Sequence, residues 1–455
     1  MEASFDAASQ KRLETYLDEI GCALGDARRR ASFATYFLGL LSDGERKSVE
    51  PIAARACGEP GDTERAHDRI LHLLTDSPWD DRAVRRIAAR HALSAMTSRD
   101  PILSWIIDDT GFLKQGKHSV GVQRQYSGSA GKTANCQIGV SLSIATRTEH
   151  LPIDFELYLP KVWVETPERR KEAHIPDDLV FRTKPELALV MIEKAVADGI
   201  PLGVVLADSA YGNVSEFRSE LRRLKLQYAV GVHSNTHVWQ LDSSGRRRGD
   251  ALSLKALAIE LGREKFRSVT WRDSTRGPLR SRFARLRVLP AHDDRNAPSK
   301  REDVWLLIEW PDGEPEPTDY VLSSLPRQVA KSKLIRIYKE RYRTERVYED
   351  LKGELGLDHY EWSPIPRLAS SHIRGSLLRC VRDGRKDSVF PPLGSTALSY
   401  QPEPSPGLSA ISQTHLSRLA WPSLALSPTG CRAAPFATAQ VSADDATLRG
   451  QAAAT

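Results

Sequence analysis

Two short apolar runs, each closed by aspartate, constrain the fold of this chain more than any other feature. They are PILSWIIDD, which ends in Asp108 and Asp109, and LGVVLAD, which ends in Asp208. Unbroken apolar runs of this length are typical of strands buried on both faces. Between them lies TKPELALVMIEKAVADG, in which Thr183 can cap a helix and Gly199 can end it. Buried strands that alternate with helices predict an α/β fold, with helices on the faces of a sheet.

The rest of the sequence divides by its hydrophobic pattern. Three- and four-residue apolar spacing over residues 1–100 predicts a helical N-terminal domain, and its basic residues favour DNA binding. Residues 101–232 and 326–360 carry the strand and helix patterns of the mixed-sheet core. Residues 233–325 contain short β-like runs between turn residues, which predicts a β-rich insertion. Residues 361–455 are rich in Pro, Ser, Ala and Arg without periodicity, which is typical of disorder.

Charge and cysteine content narrow the class of protein. The formal net charge of +6 and the pI of about 9.0 fit a polyanionic partner without identifying one. The five cysteines form no C-x-x-C or C-x-x-H pair, so we expect reduced thiols in a cytoplasmic protein, not a disulfide frame or a zinc site. No run approaches the roughly 20 apolar residues of a membrane span. We therefore expect no membrane partner.

A strongly helical segment carries four polar side chains at a regular spacing. Tyr338, Arg341, Glu345 and Lys352 lie at offsets of 0, 3, 7 and 14 residues. On one α-helix they would fall within about 60° of one another. A carboxylate, two cations and a phenol on one face can hold a metal ion together with DNA phosphates. The same spacing also fits a solvated helix with an Arg341–Glu345 ion pair, worth roughly 0.3 kcal/mol.

Three acidic positions are the candidate catalytic and metal-binding residues: Asp108 (or its neighbour Asp109), Asp208 and Glu345. Cleavage of a phosphodiester by in-line displacement needs charge neutralised on the attacking and the leaving oxygen. Two divalent ions about 3.5–4 Å apart do this, and hard ions such as Mg²⁺ prefer oxygen ligands. A single aspartate after a strand is more often a turn residue or a helix cap. The hypothesis therefore depends on the whole set.

The spacing Y-(2)-R-(3)-E-(6)-K resembles the signature of a large group of bacterial insertion-sequence transposases of the DDE type. The phrases WIIDDTGFLKQGKHSVGVQRQYSG, VVLADSAYGN and LKGELGLDHYE match as well, so that the resemblance covers residues from about 30 to 361. It implies a ribonuclease-H-like core with a β-rich insertion. It also implies that two Mg²⁺ ions, with Mn²⁺ as an alternative, support DNA cleavage and strand transfer. Tyr338, Arg341 and Lys352 would then grip DNA phosphates.

The resemblance sets further expectations. The partners would be double-stranded DNA, as terminal inverted repeats and target DNA, and a second copy of the chain in a homodimer on that DNA. The location would be the bacterial cytoplasm, in association with the nucleoid. The family usually has D-x-[ST] at its first aspartate, which selects Asp108 over Asp109. Adjacent residues of a strand point to opposite faces, so we expect only one of the two to coordinate a metal directly.

Two smaller basic clusters are open to either interpretation. Lys114, Lys117 and His118 follow the first strand, and residues 246–248 are three consecutive arginines in the predicted insertion. Both clusters could touch DNA. Both also fit an ordinary solvated surface.

The chain departs from the family after the glutamate helix. Relatives continue with E-G-R and a W-H-H-H stretch, whereas this chain reads HYEWSPIPRLASSH. We interpret the change as a frameshift near residue 361 that replaced the C-terminal helix and could impair this copy. Two other functions therefore stay open: a ribonuclease-H-like nuclease that cleaves without joining strands, and a catalytically inactive DNA-binding remnant of a transposase.

Overall fold

The computed structural model describes residues 7–57, 59–242, 244–291 and 303–359. The predicted disordered or frameshifted tail, residues 361–455, lies outside the described residues. Within the described ranges, no helix is long and apolar enough to cross a membrane.

The N-terminal part of the described chain is helical, as the apolar spacing predicts. Asp80 caps the last of these helices by accepting a hydrogen bond from the backbone N–H of Ala83. Tyr16, Phe37 and Val84 are buried in a core that continues into the sheet. The helices are α1 (Ala7–Leu24), α2 (Ala27–Leu41), α3 (Val49–Ala56), α4 (Pro60–Thr75) and α5 (Asp81–Thr97).

The described strands form one mixed sheet of twelve strands. They are β1 (Ser104–Leu113), β2 (Gln123–Ser127), β3 (Lys132–Ala145), β4 (His150–Tyr158), β5 (Val204–Ala207), β6 (Tyr228–Gly231), β7 (His237–Leu241), β8 (Arg247–Ser253), β9 (Arg267–Ser274), β10 (Gly277–Pro290), β11 (Val304–Glu309) and β12 (Asp319–Ser323). The helices after β4 are α6 (Lys161–Glu165), α7 (Pro167–Glu172), α8 (Lys184–Ala197), α9 (Ser209–Gly212), α10 (Ser215–Arg223), α11 (Leu254–Leu261), α12 (Lys331–Lys339) and α13 (Tyr342–Gly353).

The centre of the sheet has the order β4-β3-β1-β5-β6. β1 is antiparallel to β3 and parallel to β5, and β5 is parallel to β6. β12 then pairs antiparallel with β6, so that the strands of residues 233–325 extend the same sheet. The predicted mixed α/β class is confirmed.

Asp108 and Asp109 do not lie at the end of their strand, where the sequence analysis predicted them. β1 was expected to end at Asp108 and Asp109, and this is wrong because the strand continues to Leu113. The long strand β3 supplies backbone partners over the whole of β1. β5, in contrast, pairs only with the first three residues of β1, up to Ile106. Asp108 therefore lies just past the end of β5, and Asp208 directly follows that strand, as predicted.

The segment that carries Tyr338, Arg341, Glu345 and Lys352 is not one continuous helix. α12 ends at Lys339 and α13 begins at Tyr342. Between them the backbone N–H groups of Glu340 and Arg341 donate to carbonyls three residues earlier, which forms a tighter turn than an α-helix. The prediction that these four side chains share one face of a single helix is therefore wrong.

Helix α8 begins and ends as predicted. Thr183 accepts a hydrogen bond from the N–H of Glu186, whose carboxylate accepts one from the N–H of Thr183, so that both form a capping box. Gly199, just past the helix, has a φ of +72°. This start places Lys184 in the first turn of α8, beside β1.

Candidate active site

Asp108, within β1, and Asp208, directly after β5, come together where the pairing of the two strands stops. Asp208 caps α9 by accepting a hydrogen bond from the N–H of Ala210 at 2.9 Å. Burial raises the pKa of Asp108 to about 7; Arg341 opposes the rise, and the charges of Asp109 and Asp208 add to it. A half-buried carboxyl group beside other carboxylates favours a bound cation.

Asp109 has different neighbours from Asp108. Its Oδ2 accepts hydrogen bonds from Lys184 Nζ and from Tyr211 Oη, both at 3.1 Å. Its charge is thus compensated by α8 and α9. Asp108 instead lies within the field of Arg341. The two neighbours in sequence are therefore held by different groups, as expected for adjacent residues of a strand.

Tyr338 and Arg341 line a cleft of about 630 Å³ together with Asp208 and Asp319. Tyr338 Oη donates to Asp319 Oδ1 at 3.2 Å, and Arg341 Nη1 donates to Tyr338 Oη at 3.5 Å. Burial raises the pKa of Asp319. The sequence analysis did not identify Asp319 as a candidate. The available signal was its position at the start of the strand-like run DYVLSS. This run forms β12, which pairs with β6, the strand that follows Asp208 in the chain.

Glu345 and Lys352 lie outside this group. Glu345 is exposed on α13, and its side chain makes no hydrogen bond or ion pair with any residue that the structure describes. Lys352 Nζ instead donates to Thr110 Oγ1 and to the carbonyl of Gly111, both at 2.9 Å. No group of three His, Cys, Asp or Glu side chains in the described residues is arranged to hold a metal ion. The expected set of three carboxylates is thus only partly assembled.

Tyr348 is the residue of α13 that lies close to Asp108. It is buried on α13, and its Oη lies 2.6 Å from Oγ of Ser141, the cross-strand partner of Asp108. Burial raises its pKa well above the usual value, and the charge of Asp108 adds to the rise. In the sequence, Tyr348 could have been recognised as buried because it lies four residues after Thr344 and three before Leu351, on the same buried face of α13.

The two smaller basic clusters do not line the cleft. His118 lies 3.4 Å from Glu172, and both side chains are exposed. Arg247 stacks over the ring of Trp239, at 4.3 Å from its centroid. The surface interpretation fits both clusters in this structure.

The mixed sheet, with Asp108 of β1 close to Asp208 just after β5, is consistent with the ribonuclease-H-like fold that the sequence predicts. The sequence model of a family described as DDE superfamily endonuclease matches residues 19–278, which is more than half of the chain. The chain belongs to this family. Members of the superfamily generally use divalent metal ions.

A curated relative agrees. The chain is 29% identical over 382 residues to a protein of Microchaete diplosiphon named "Probable transposase for insertion sequence element IS701", and the match covers 83% of this chain and 88% of the relative. Since 83% of 455 residues is about 378, the match extends past residue 361. The match thus includes the first residues of the segment that we interpret as frameshifted.

Proposed function

We propose that this chain is a metal-dependent DNA transposase that cuts DNA at the ends of an insertion sequence and joins the freed ends to target DNA. The observation that carries the proposal is the meeting of Asp108 and Asp208 beside the phosphate-binding candidates Tyr338 and Arg341. The recognised family and the transposase relative support the same reaction.

The donor set fits divalent cations. Asp108 and Asp208 offer hard oxygen ligands, and a cation would favour the charged form of the half-buried Asp108. Glu345 would complete the set after its exposed side chain turns from solvent to the cleft. Two Mg²⁺ ions, with Mn²⁺ as an alternative, would supply charge neutralisation at the attacking and leaving oxygens.

The chain's own cations orient the DNA in this proposal. Arg341 presents a planar guanidinium that can bind two phosphate oxygens at once. Tyr338 is held towards the cleft by the hydrogen bond that its hydroxyl donates to Asp319. The hydroxyl can donate to a phosphate instead when this bond breaks. Lys352, which the resemblance assigns to phosphate, is bound to β1 here, so we assign it the positioning of α13 on the strand that carries Asp108.

The proposed partners are the terminal inverted repeats of the element and its target DNA. Transfer of two ends to one target requires two active sites, so the acting form would be a homodimer assembled on DNA. Strand transfer by the same site follows if a 3′-hydroxyl replaces water as the nucleophile. Both reactions then use the same acidic residues.

One observation favours a second candidate, a DNA-binding remnant without catalytic activity. The exposed Glu345 leaves only two carboxylates gathered in the described structure. In that case the chain, with its formal net charge of +6, would still bind DNA, and no divalent ion would produce cleavage.

The test uses the full chain and a supercoiled plasmid that carries the DNA flanking the gene, with Mg²⁺ present. Wild-type protein should cut at the element ends and join them to a second plasmid. Glu345→Gln should reduce both steps roughly 100- to 1,000-fold, by analogy with the loss of other charge-stabilising groups. The matched control is Glu349→Gln, an exposed carboxylate one turn along α13, which should act like wild type. Binding without cutting by the wild-type protein would favour the remnant.

A further inference from the structure

The positive charge of the chain is concentrated in a hairpin that the sequence analysis did not single out. Residues 263–287, which include β9 and most of β10, hold eight arginines and one lysine against two acidic residues. Their net charge of +7 exceeds the +6 of the whole chain, so all other residues together sum to −1. We call residues 263–287 the arginine ribbon.

Helix α12 adds to this charge. Residues 327–339 contain five cations and no acid. The helix packs on the ribbon: Lys331 Nζ donates to the carbonyl of Phe283 at 3.2 Å, and Lys339 Nζ lies 5.2 Å from the ring centroid of Trp271. The ribbon and α12 therefore form one basic surface.

Much of this charge has no carboxylate partner. Arg267, Arg272, Arg276 and Arg285 form no ion pair with any residue that the structure describes. Other cations of the ribbon do pair with acids, at distances of 2.6–3.7 Å. Asp312 pairs with Arg263 and Arg282 and lies near Arg280, and Asp303 pairs with Arg287.

Several cations of this surface lie close enough to repel one another. Burial, together with Arg285 and Arg267, lowers the pKa of Lys331. Burial and the charge of Arg287 lower the pKa of Arg285. Like charges gathered in this way oppose the compact state, and a polyanion relieves the repulsion. The crowding thus points to an anionic partner.

The aromatic rings of this surface are already covered. The guanidinium of Arg272 lies 3.7 Å from the ring centroid of Tyr342, and that of Arg285 lies 3.9 Å from the centroid of Trp305. Bases of single-stranded DNA bind by stacking on aromatic faces, and on these two rings arginines already stack. A duplex, whose bases are stacked within it and whose phosphates face outward, fits such a surface better.

The basic surface is continuous with the cleft. Tyr342, under Arg272, directly follows Arg341, which lines the cleft. From there the nine residues of α12 extend about 13 Å at 1.5 Å per residue. That length corresponds to about four base pairs, at 3.4 Å per phosphate on one strand.

We propose that the arginine ribbon and α12 bind the sugar–phosphate backbone of the DNA duplex that leads into the cleft. The assignment rests on the proposed function, since the cleft supplies the reason for a duplex at this place. The ribbon would fix the position of the duplex without reading its sequence, because its cations reach phosphates and not base edges.

The test measures DNA binding without metal. The full chain is titrated against a labelled 30-base-pair duplex in EDTA over a range of KCl concentrations. The ribbon variant is Arg267→Gln, Arg276→Gln and Arg280→Gln, all exposed, and the control is Arg246→Gln, Arg247→Gln and Arg248→Gln, an equal change of charge on exposed arginines of another hairpin. The ribbon variant should bind roughly 10- to 100-fold more weakly at 0.15 M KCl, and the slope of log K against log[KCl] should fall by about 2.7.

The control should stay within about threefold of wild type. Equal losses in both variants would show that total charge alone matters and would overturn the assignment, as would tighter binding of the wild type to single-stranded DNA of the same length. Melting temperatures check folding, and Arg276→Glu in the β9–β10 turn repeats the test if the triple variant melts early.

The outcomes separate the two proposals. A wild type that never cuts, with a ribbon variant that loses binding, would remove the proposed catalysis and keep the ribbon surface. A wild type that cuts, with a ribbon variant that binds as tightly as wild type, would remove the ribbon surface and keep the catalysis.

Discussion

Lys184 donates a hydrogen bond to Asp109 at 3.1 Å, so the charge of Asp109 is matched by a cation of α8. Tyr211 binds the same oxygen at 3.1 Å. Asp108, one residue earlier, has no such partner on α8 and faces Arg341 and Asp208. This difference supports a structural role for Asp109 and a metal-binding role for Asp108.

Exchanging each aspartate for asparagine tests this division of roles. Asp109→Asn should lower the free energy of unfolding by about 1–3 kcal/mol, because Lys184 and Tyr211 lose a charged acceptor. It should leave cleavage measurable. Asp108→Asn should abolish cleavage in Mg²⁺ while keeping the fold. Urea denaturation and plasmid cleavage measure the two effects, and the reverse pattern would assign the metal to Asp109.

The raised pKa of Asp108 predicts a specific pH dependence of stability. In the folded protein the pKa of this carboxyl is raised to about 7, from its ordinary value of 3.8. Between these pH values the folded state holds a proton that the unfolded chain releases. Stability should therefore fall as pH rises from about 4 to 7, by up to about 4 kcal/mol, and then level off.

Denaturation of the wild type and Asp108→Asn at pH 5 and pH 8, both in EDTA, measures this effect. The variant lacks the carboxyl, so its stability should fall less between the two pH values. An identical fall in both proteins would show that Asp108 is not the responsible group.

Lys352 should stabilise the fold. Lys352→Met removes two hydrogen bonds from α13 to Thr110 and Gly111 of β1, and we expect a loss of about 1–3 kcal/mol. The control Lys333→Met removes an exposed lysine of α12 and should change stability by less than about 0.5 kcal/mol. Thermal and urea denaturation measure both. Wild-type stability of Lys352→Met, with weakened DNA binding, would instead support a direct phosphate contact.

Arg85 connects the N-terminal helices to the sheet. From α5 it binds Asp154 of β4, Asp81 at 2.6 Å and the carbonyl of Phe155 at 2.9 Å. Burial raises the pKa of Asp154 to about 6, and Arg85 opposes the rise. Arg85→Met should cost about 3–5 kcal/mol, because it leaves Asp154 buried without its cation.

A second substitution separates the lost pair from lost packing. Arg85→Met combined with Asp154→Leu should recover much of the stability, since no buried charge stays unpaired. Arg82→Met, at a more exposed position of α5, is the matched control and should have little effect. A double variant no more stable than Arg85→Met alone would contradict this account.

The elements with local signals were predictable from sequence. The capping box of Thr183, the aspartate after β5 and the α/β class all depend on short-range patterns, and the structure has each of them. The end of β1 was not predictable, because it depends on the length of its partner β3, which is a tertiary property. The break between α12 and α13 was not predictable either, because no Gly or Pro marks it at Glu340 and Arg341 in the sequence.

The site was predictable in part. Asp108, Asp208, Tyr338 and Arg341 lie together, whereas the placement of Glu345 depends on how α13 turns after the break. The arginine ribbon, residues 263–287, was missed although a count of charge by segment would have found it. The formal net charge of +6 for the whole chain does not show how strongly positive charge is concentrated in the ribbon, because the remaining residues are slightly acidic.

The central claim is that Asp208 holds a catalytic divalent ion beside Asp108, and a change of metal preference tests it most directly. Thiolate is a poor ligand for Mg²⁺ and is accepted more readily by softer ions. DNA cleavage by Asp208→Cys should therefore be lost in Mg²⁺ and partly restored in Mn²⁺, while Asp208→Ser should stay inactive in both. Wild-type cleavage by Asp208→Cys in Mg²⁺ would contradict the account.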